Sequence, residues 1–253
     1  RAFPIDRLHQ EVLRNGERKF SRYDIIAFDL PWLGELVESG LLMPLPEVMD
    51  IDRLDTADFH TAGWKAAHWG GIPYGVPAQT TPELFLYRKD LFAKAGIEPP
   101  KTTDDVIRAA RAFHDPTRGK YGVAWNAARG TALGHTFLMT MADFGQPVIE
   151  LPPNAGGFDT DDIHKGNHRP MIDSEAGLRA AEYLMELLNY SPPYILSMSW
   201  YERIRPYASG EVAMAYGYTL LAPYFELDPS SPADGQTGCW PHPPAPGKLA
   251  LAL

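Results

Sequence analysis

The sequence predicts an α/β chain folded as two lobes, and three observations point there. With 253 residues, 45% of them hydrophobic, the chain can bury a substantial core and is long for one compact unit. Short apolar runs alternate with segments of helical periodicity, the rhythm of α/β architecture. Between them, "YGVPAQTTPELFLYRKDLF" (residues 74–92) joins turn-forming and polar residues directly to a buried-looking run. Pro77 and Pro82 hold such a stretch extended, which suits a segment crossing from one lobe to the other. The expected first lobe is 1–79, with the crossing near 78–84.

Each element has its own signal. Ile5, Leu8, Val12 and Leu13 recur at helical spacing, and Gly16 stops that helix. "RYDIIAFDL" predicts a strand over Ile25–Phe28 ending on Asp29. "PWLGELVESGLLMPL" predicts a helix with Pro31 in its first turn and Gly40 past its end. Strands are expected at 72–78 and 83–88, on either side of the crossing, and "YRKDLFAKAG" predicts a short helix ended by Gly96. Thr102 and Asp105 have capping-box spacing for a helix that places Val106, Ile107, Ala110 and Phe113 on one face. "YGVAWN" reads as a strand, "TALGHTFLMTMADFG" as a helix stopped at Gly145, and the polar stretch 152–170 as a surface loop or hairpin. "DSEAGLRAAEYLMELLNY" predicts a helix capped by Asp173 or Ser174, with Leu178, Leu184, Leu187 and Leu188 inside. "SWYERIRPYASG" predicts another, disturbed at Pro206. "EVAMAYGY" predicts a strand, "LDPSSPADGQTG" a turn-rich loop, and "KLALAL" a last strand.

Composition removes several function classes. The 32 acidic residues outnumber the 23 basic ones for a net charge of -9. Nucleic-acid and anionic-membrane partners need a concentrated basic face and are not expected. The single cysteine, Cys239, excludes an intrachain disulfide and a multi-cysteine zinc site. No apolar run approaches the roughly 18 residues of a membrane helix.

Four segments, in this order, carry a resemblance: "YDIIAFDLPWLGELVESGLLMPL", "GIPYGVPAQTTPELFLYRKDLFAKAGIEPPKTTDDVIRAARAF", "IDSEAGLRAAEYLMELLNYSPP" and "SWYERIRPYASGEVAMAYG". In order and register they resemble the family 1 extracellular solute-binding proteins, the sugar receptors of bacterial ABC importers and relatives of the maltose-binding protein. "LYRKDLFAKAGIEPPKT" resembles the family's Tyr-Asn-Lys-Asp-Leu-Phe pattern, and "GEVAMAYG" its Gly-Lys-x-Ala-Met strand. The resemblance implies a two-lobed periplasmic binding protein-like fold of type II, with the second lobe over 80–238 and residues 239–253 as the return crossing and the start of the remainder of the first lobe. It implies a ligand enclosed between the lobes, a periplasmic or extracellular location, and an ABC transporter permease as partner, with no cofactor and a monomeric state. Family members carry further elements on both sides of these segments, so the sequence corresponds to an internal piece or to a receptor whose ends are not represented.

Sugars combine apolar C–H faces with a rim of hydroxyls, and their sites pair aromatic platforms with amides, carboxylates and Arg. By the resemblance, Asp29 and Trp32 occupy a ligand-facing strand end, and Gln79, Thr80 and Thr81 turn amide and hydroxyl groups toward the ligand. Trp125 and Asn126 end a strand, Trp200 opens a helix, and Tyr218 ends another strand, positions where α/β folds gather ligand contacts. Trp125 suits core packing equally well, and Asp29 also suits a helix cap. Trp64 and Trp69 read as packing residues. Arg129 is the only cation near an expected contact, which favours a neutral sugar, oligosaccharide or polyol and leaves a sugar acid open. The competing class is a glycosidase-like enzyme, which needs two carboxyls at a set separation. Asp29, Glu35 and Glu83 are its nominees, without a spacing that unites them. His164 and His168, four apart in a loop, are a poor metal pair, and no metal site is expected. A binding protein serving a sensor would share the same site as a transport receptor.

Overall fold

The computed structural model describes residues 2–79, 81–154, 157–158, 166 and 168–247. The chain divides into two compact units, Arg1–Thr80 and Thr81–Leu253.

The first unit is mostly helical. Helix α1 (Ile5–Gly16) buries Val12, and α2 (Leu33–Glu38) buries Leu33 and Leu36. Short helices α3 (Leu45–Val48) and α4 (Thr61–Ala66) follow, then a hairpin of β1 (His68–Trp69) and β2 (Ile72–Pro73). Two strand expectations fail here. Ile25–Phe28 forms no strand, and Ile25 is 92% exposed. A strand needs a hydrogen-bonded neighbour, and no described residue pairs with this run, so apolar character alone does not make one. The strand expected over 72–78 is only the two residues of β2. Beyond it the Tyr74 amide donates to the Ala67 carbonyl (3.0 Å), and the chain from Gly75 to Gln79 forms no strand, as Pro77 removes a ladder donor.

The second unit is built on a four-stranded sheet in the order β4-β7-β3-β8. Strand β3 (Glu83–Arg88) pairs antiparallel with both β7 (Val212–Tyr218) and β8 (Thr237–Trp240), and β4 (Tyr121–Ala124) lies parallel to β7. Phe85, Leu86, Val123, Ala124 and all of Val212–Tyr216 are buried, as befits strands covered on both faces. Because β8 pairs with β3, Cys239 and Trp240 belong to this sheet.

Helices cover the sheet. Helix α5 (Lys89–Ala95) ends at Gly96, whose φ of 66° is the left-handed cap that glycine adopts without strain. Helix α6 (Thr103–Phe113) starts with the expected capping box: Thr102 Oγ1 accepts from the Asp105 amide, and the Asp105 carboxylate accepts from Thr102. Helix α7 (Thr131–Asp143) packs on α8 (Glu175–Leu188), which Ser174 caps. In α8, Leu184 and Leu187 are buried with Ala180 and Tyr183, whereas Leu178 is 60% exposed and Leu188 37%. Leu184 and Leu187 thus face inward as expected, while Leu178 and Leu188 each lie one position outside the inward stripe.

The helix expected across 199–210 is only α9 (Ile204–Ala208), with Pro206 in its first turn, where a missing N–H costs nothing. Helix α10 (Pro223–Glu226) follows β7. The hairpin reading of 152–170 is realised where β5 (Pro153–Asn154) meets β6 (Gly157–Phe158). "KLALAL" lies outside the described residues.

Candidate functional site

One edge of the second unit's sheet gathers aromatic and charged side chains. In the ladders, Glu83 at the start of β3 stands opposite Tyr218 at the end of β7, and Ala124 at the end of β4 stands opposite Ala215. The chain leaving β4, through Trp125 and Asn126, therefore emerges at the same edge as Tyr218. This edge lies at the carboxyl ends of two parallel strands, where α/β sheets present ligand contacts. A hydrogen bond from the Ala128 amide to the Met198 carbonyl (2.8 Å) ties the post-β4 loop to the segment leading into Trp200.

Three half-buried rings meet there. Trp200 and Tyr218 lie 6.4 Å apart at an interplanar angle of 29°, and His135, from α7, sits edge-on to Trp200 at 5.2 Å. A sugar ring sandwiched between two parallel aromatics needs them roughly 7–8 Å apart, twice the ordinary carbon–carbon contact. The roughly parallel rings, 6.4 Å apart, are too close to admit a sugar between them, and with His135 they form an aromatic wall.

A buried ion pair stands behind this wall. Arg203, with no exposed surface, places its guanidinium 4.4 Å from the centre of the Tyr218 ring and bonds the Glu83 carboxylate, whose side chain is 4% exposed. The other Glu83 oxygen is 3.4 Å from His135 Nδ1. Burial pushes the Tyr218 hydroxyl well above the ordinary phenol range, and the Glu83 charge adds to this while Arg203 opposes it. Tyr218 is thus a neutral donor and acceptor at any ordinary pH. Arg203 Nε and Nη2, and both polar atoms of the Asn126 side chain, have no hydrogen-bond partner among the described residues.

The expected site residues divide. Trp200 and Tyr218 come together in the wall. Thr81 is half-buried two residues before Glu83, and the adjacent Pro82 carbonyl accepts from the Thr219 amide, just past Tyr218. Asn126 is fully buried beside the wall's edge, and Arg129 is exposed on the following turn. Trp125 is a core residue, 2% exposed, its Nε1 donating to Ser191 Oγ at 3.0 Å.

In the first unit, Asp29 caps the turn Leu30–Trp32 by accepting from the Leu30 amide at 3.0 Å. Trp32 carries His9 stacked on one face at 4.5 Å, and Gln79 is exposed. Thr80 lies outside the described residues, as do His164 and the metal-pair reading that used it.

The site also holds His135 and Arg203, which the sequence did not single out, and Glu83, which it offered only as an enzyme carboxyl. Arg129 is therefore not the only cation near the contacts. Of the three nominated enzyme carboxyls, Asp29 is a cap, Glu35 is bound to His9 at 2.7 Å, and Glu83 is bound to Arg203. Among the described residues no group of three His, Cys, Asp or Glu is arranged to hold a metal ion.

The comparisons with known proteins fit this architecture. The profile of the bacterial extracellular solute-binding proteins matches residues 8–248. The chain belongs to that family. A maltotriose-binding protein of Pyrococcus abyssi is 30% identical over 139 residues, 53% of this chain and 29% of that protein. An ABC transporter solute-binding protein from Agrobacterium radiobacter K84, solved with ribitol, superposes with a TM-score of 0.83 at 21% identity, over 99% of this chain and 60% of that one. Maltose-bound T. maritima MalE3 gives 0.77 at 23% identity, over 97% of this chain and 57% of that one. The chain thus spans less than two thirds of the length of these relatives. At these identities the structures establish the fold, which is that of the two-lobed type II periplasmic binding proteins. No helix among the described residues is long and apolar enough to cross a membrane.

Proposed function

We propose that this family member binds a neutral sugar, oligosaccharide or polyol, with the Trp200–Tyr218 wall as its platform, and hands it to the permease of an ABC importer without chemical change. The observation that carries the reading is the wall itself. Two near-parallel, half-buried rings with His135 at their edge stand at the carboxyl ends of β4 and β7. A pyranose or an extended polyol offers a C–H face to such rings and hydroxyls to the polar groups around them. Relatives of like fold are described with ribitol, maltose and D-mannitol bound, which supports the solute class. Binding without turnover is supported by the state of the carboxyls, since Glu83 at the wall is held by Arg203 and its acidic neighbour Asp143 by His242. As in the family, the receptor works outside the cytoplasmic membrane, in the periplasm or at the cell surface.

The test is a thermal-shift screen of the full chain against mono- and oligosaccharides, polyols and sugar acids. Ligand at about 100 times its dissociation constant adds about 2.7 kcal/mol to the folded state. For a chain of this size that raises the midpoint by roughly 5–10 °C. A rise with a neutral carbohydrate, and no product after incubation, is the expected result. No shift with any sugar or polyol, or turnover of the one that binds, would overturn the reading.

A further inference from the structure

The charge behind the wall has a consequence for selectivity. Arg203 is completely buried and sits directly beneath Tyr218, so its charge is felt at the solute's platform with little screening by water. A lone buried guanidinium there would draw anions. The charge is cancelled by Glu83, itself 4% exposed and fixed by register opposite Tyr218. The other ionisable groups near the pair are His135, at 3.4 Å from Glu83, and Asp143, which is tied up with His242 at 3.2 Å. Glu83 is therefore the group whose charge decides whether the platform is neutral or cationic.

Resting on the solute-binding reading above, we propose that Glu83 is a specificity-determining residue: by neutralising Arg203 behind the Tyr218 ring, it makes the site prefer neutral carbohydrates over the corresponding sugar acids. The pair works by exclusion, since discrimination is a difference of affinities and an unwelcome charge lowers one of them. An anionic solute loses part of its hydration at the wall and finds no uncompensated cation behind it. Glu83→Gln leaves Arg203 uncompensated and reverses the preference. Glu83→Asp keeps the charge and the preference. The double variant Glu83→Gln with Arg203→Met is neutral again and restores the wild-type order.

The experiment is titration calorimetry at pH 8, above the ordinary histidine range, on the full chain. The probes are matched pairs: ribitol with ribonate, mannitol with mannonate, and maltotriose with maltotrionate. The wild type is expected to favour the neutral member of the pair it binds. In Glu83→Gln the ratio of acid to neutral affinity should rise by on the order of tenfold or more. Circular dichroism shows that each variant is folded. A purely structural role for Glu83 would weaken both members of a pair alike, and an unchanged ratio in folded Glu83→Gln overturns the proposal. If that variant does not fold, the wild type still decides, because a preference for the acid there overturns the proposal equally. Binding of neither member of any pair by the wild type would instead count against the solute-binding reading.

Discussion

Strand β4 and helix α6 are separated by no more than a glycine allows. A Cβ on Gly122 would stand 2.3 Å from the Ala110 carbonyl oxygen and 2.5 Å from its Cα. All of these neighbours are backbone, so no rotamer can turn away. Reaching the 3.4 Å of an ordinary contact requires α6 to retreat by about 1 Å. That helix is held by its capping box, by a hydrogen bond from the Thr103 amide to the Pro244 carbonyl (3.0 Å), and by the buried side chains of Val106, Ala109 and Ala110. Overpacking of this kind typically costs 1–3 kcal/mol, and a rigid neighbour on one side places Gly122→Ala at about 2–3 kcal/mol. For a chain of this size the melting midpoint should fall by roughly 4–12 °C, followed by near-UV circular dichroism. Solute affinity should change by less than about twofold, since Trp200 and Tyr218 stand on other elements. A midpoint within about 1 °C of wild type would refute the claim that the α6–β4 spacing is fixed.

Two further outcomes follow from buried polar groups. Ser191→Ala removes the acceptor of the buried Trp125 Nε1 and should destabilise by about 1–3 kcal/mol, read by urea denaturation, because the orphaned donor carries its full desolvation cost. Burial raises the Asp143 carboxyl above its usual range, while His242 opposes the rise. The folded chain then binds this proton more tightly than the unfolded chain, so the group's contribution is fully present below the ordinary carboxylate pKa of about 3.9 and is lost as pH rises through the folded value. The stability of wild type relative to Asp143→Asn should therefore fall as pH rises through that window. A flat difference across it would contradict the assignment. Asp90, bound by Arg88, runs the other way: its lowered pKa gives stability that is lost on acidification.

The parts of the fold legible in the sequence are those fixed by neighbouring residues. Thr102 and Asp105 are three apart and cap their helix as read, and Gly96 stops α5 as read, because cap and helix are one local unit. The failures are non-local. Ile25–Phe28 has strand composition but no pairing partner among the described residues, and composition cannot supply one. Trp125 follows the fully buried Val123 and Ala124 and continues into the core, although a tryptophan at a strand end is an equally good ligand platform by type.

In the candidate site, Tyr218 was legible from a strand end and Trp200 from an expected helix start, and the fold brings the two rings together. Glu83 was read only as an enzyme carboxyl, and its pairing with Arg203 was not legible because the two lie 120 residues apart. One signal was present in the sequence: Arg203 lies four residues before Tyr207, on the face that Tyr207 buries, so a charge there needed a partner inside. His135 lies on a helix whose mixed apolar and hydroxyl residues give no clear inward stripe, and only the tertiary fold brings it to Trp200.

The proposed carbohydrate platform is the Trp200–Tyr218 wall. Its most direct test is titration calorimetry of Trp200→Ala and Tyr218→Ala with the solute identified by the thermal-shift screen, both variants first shown to be folded. If each ring stacks on the solute, each substitution weakens binding by about 1–3 kcal/mol, roughly 5- to 150-fold. Full wild-type affinity in both variants would place the solute elsewhere and contradict the account.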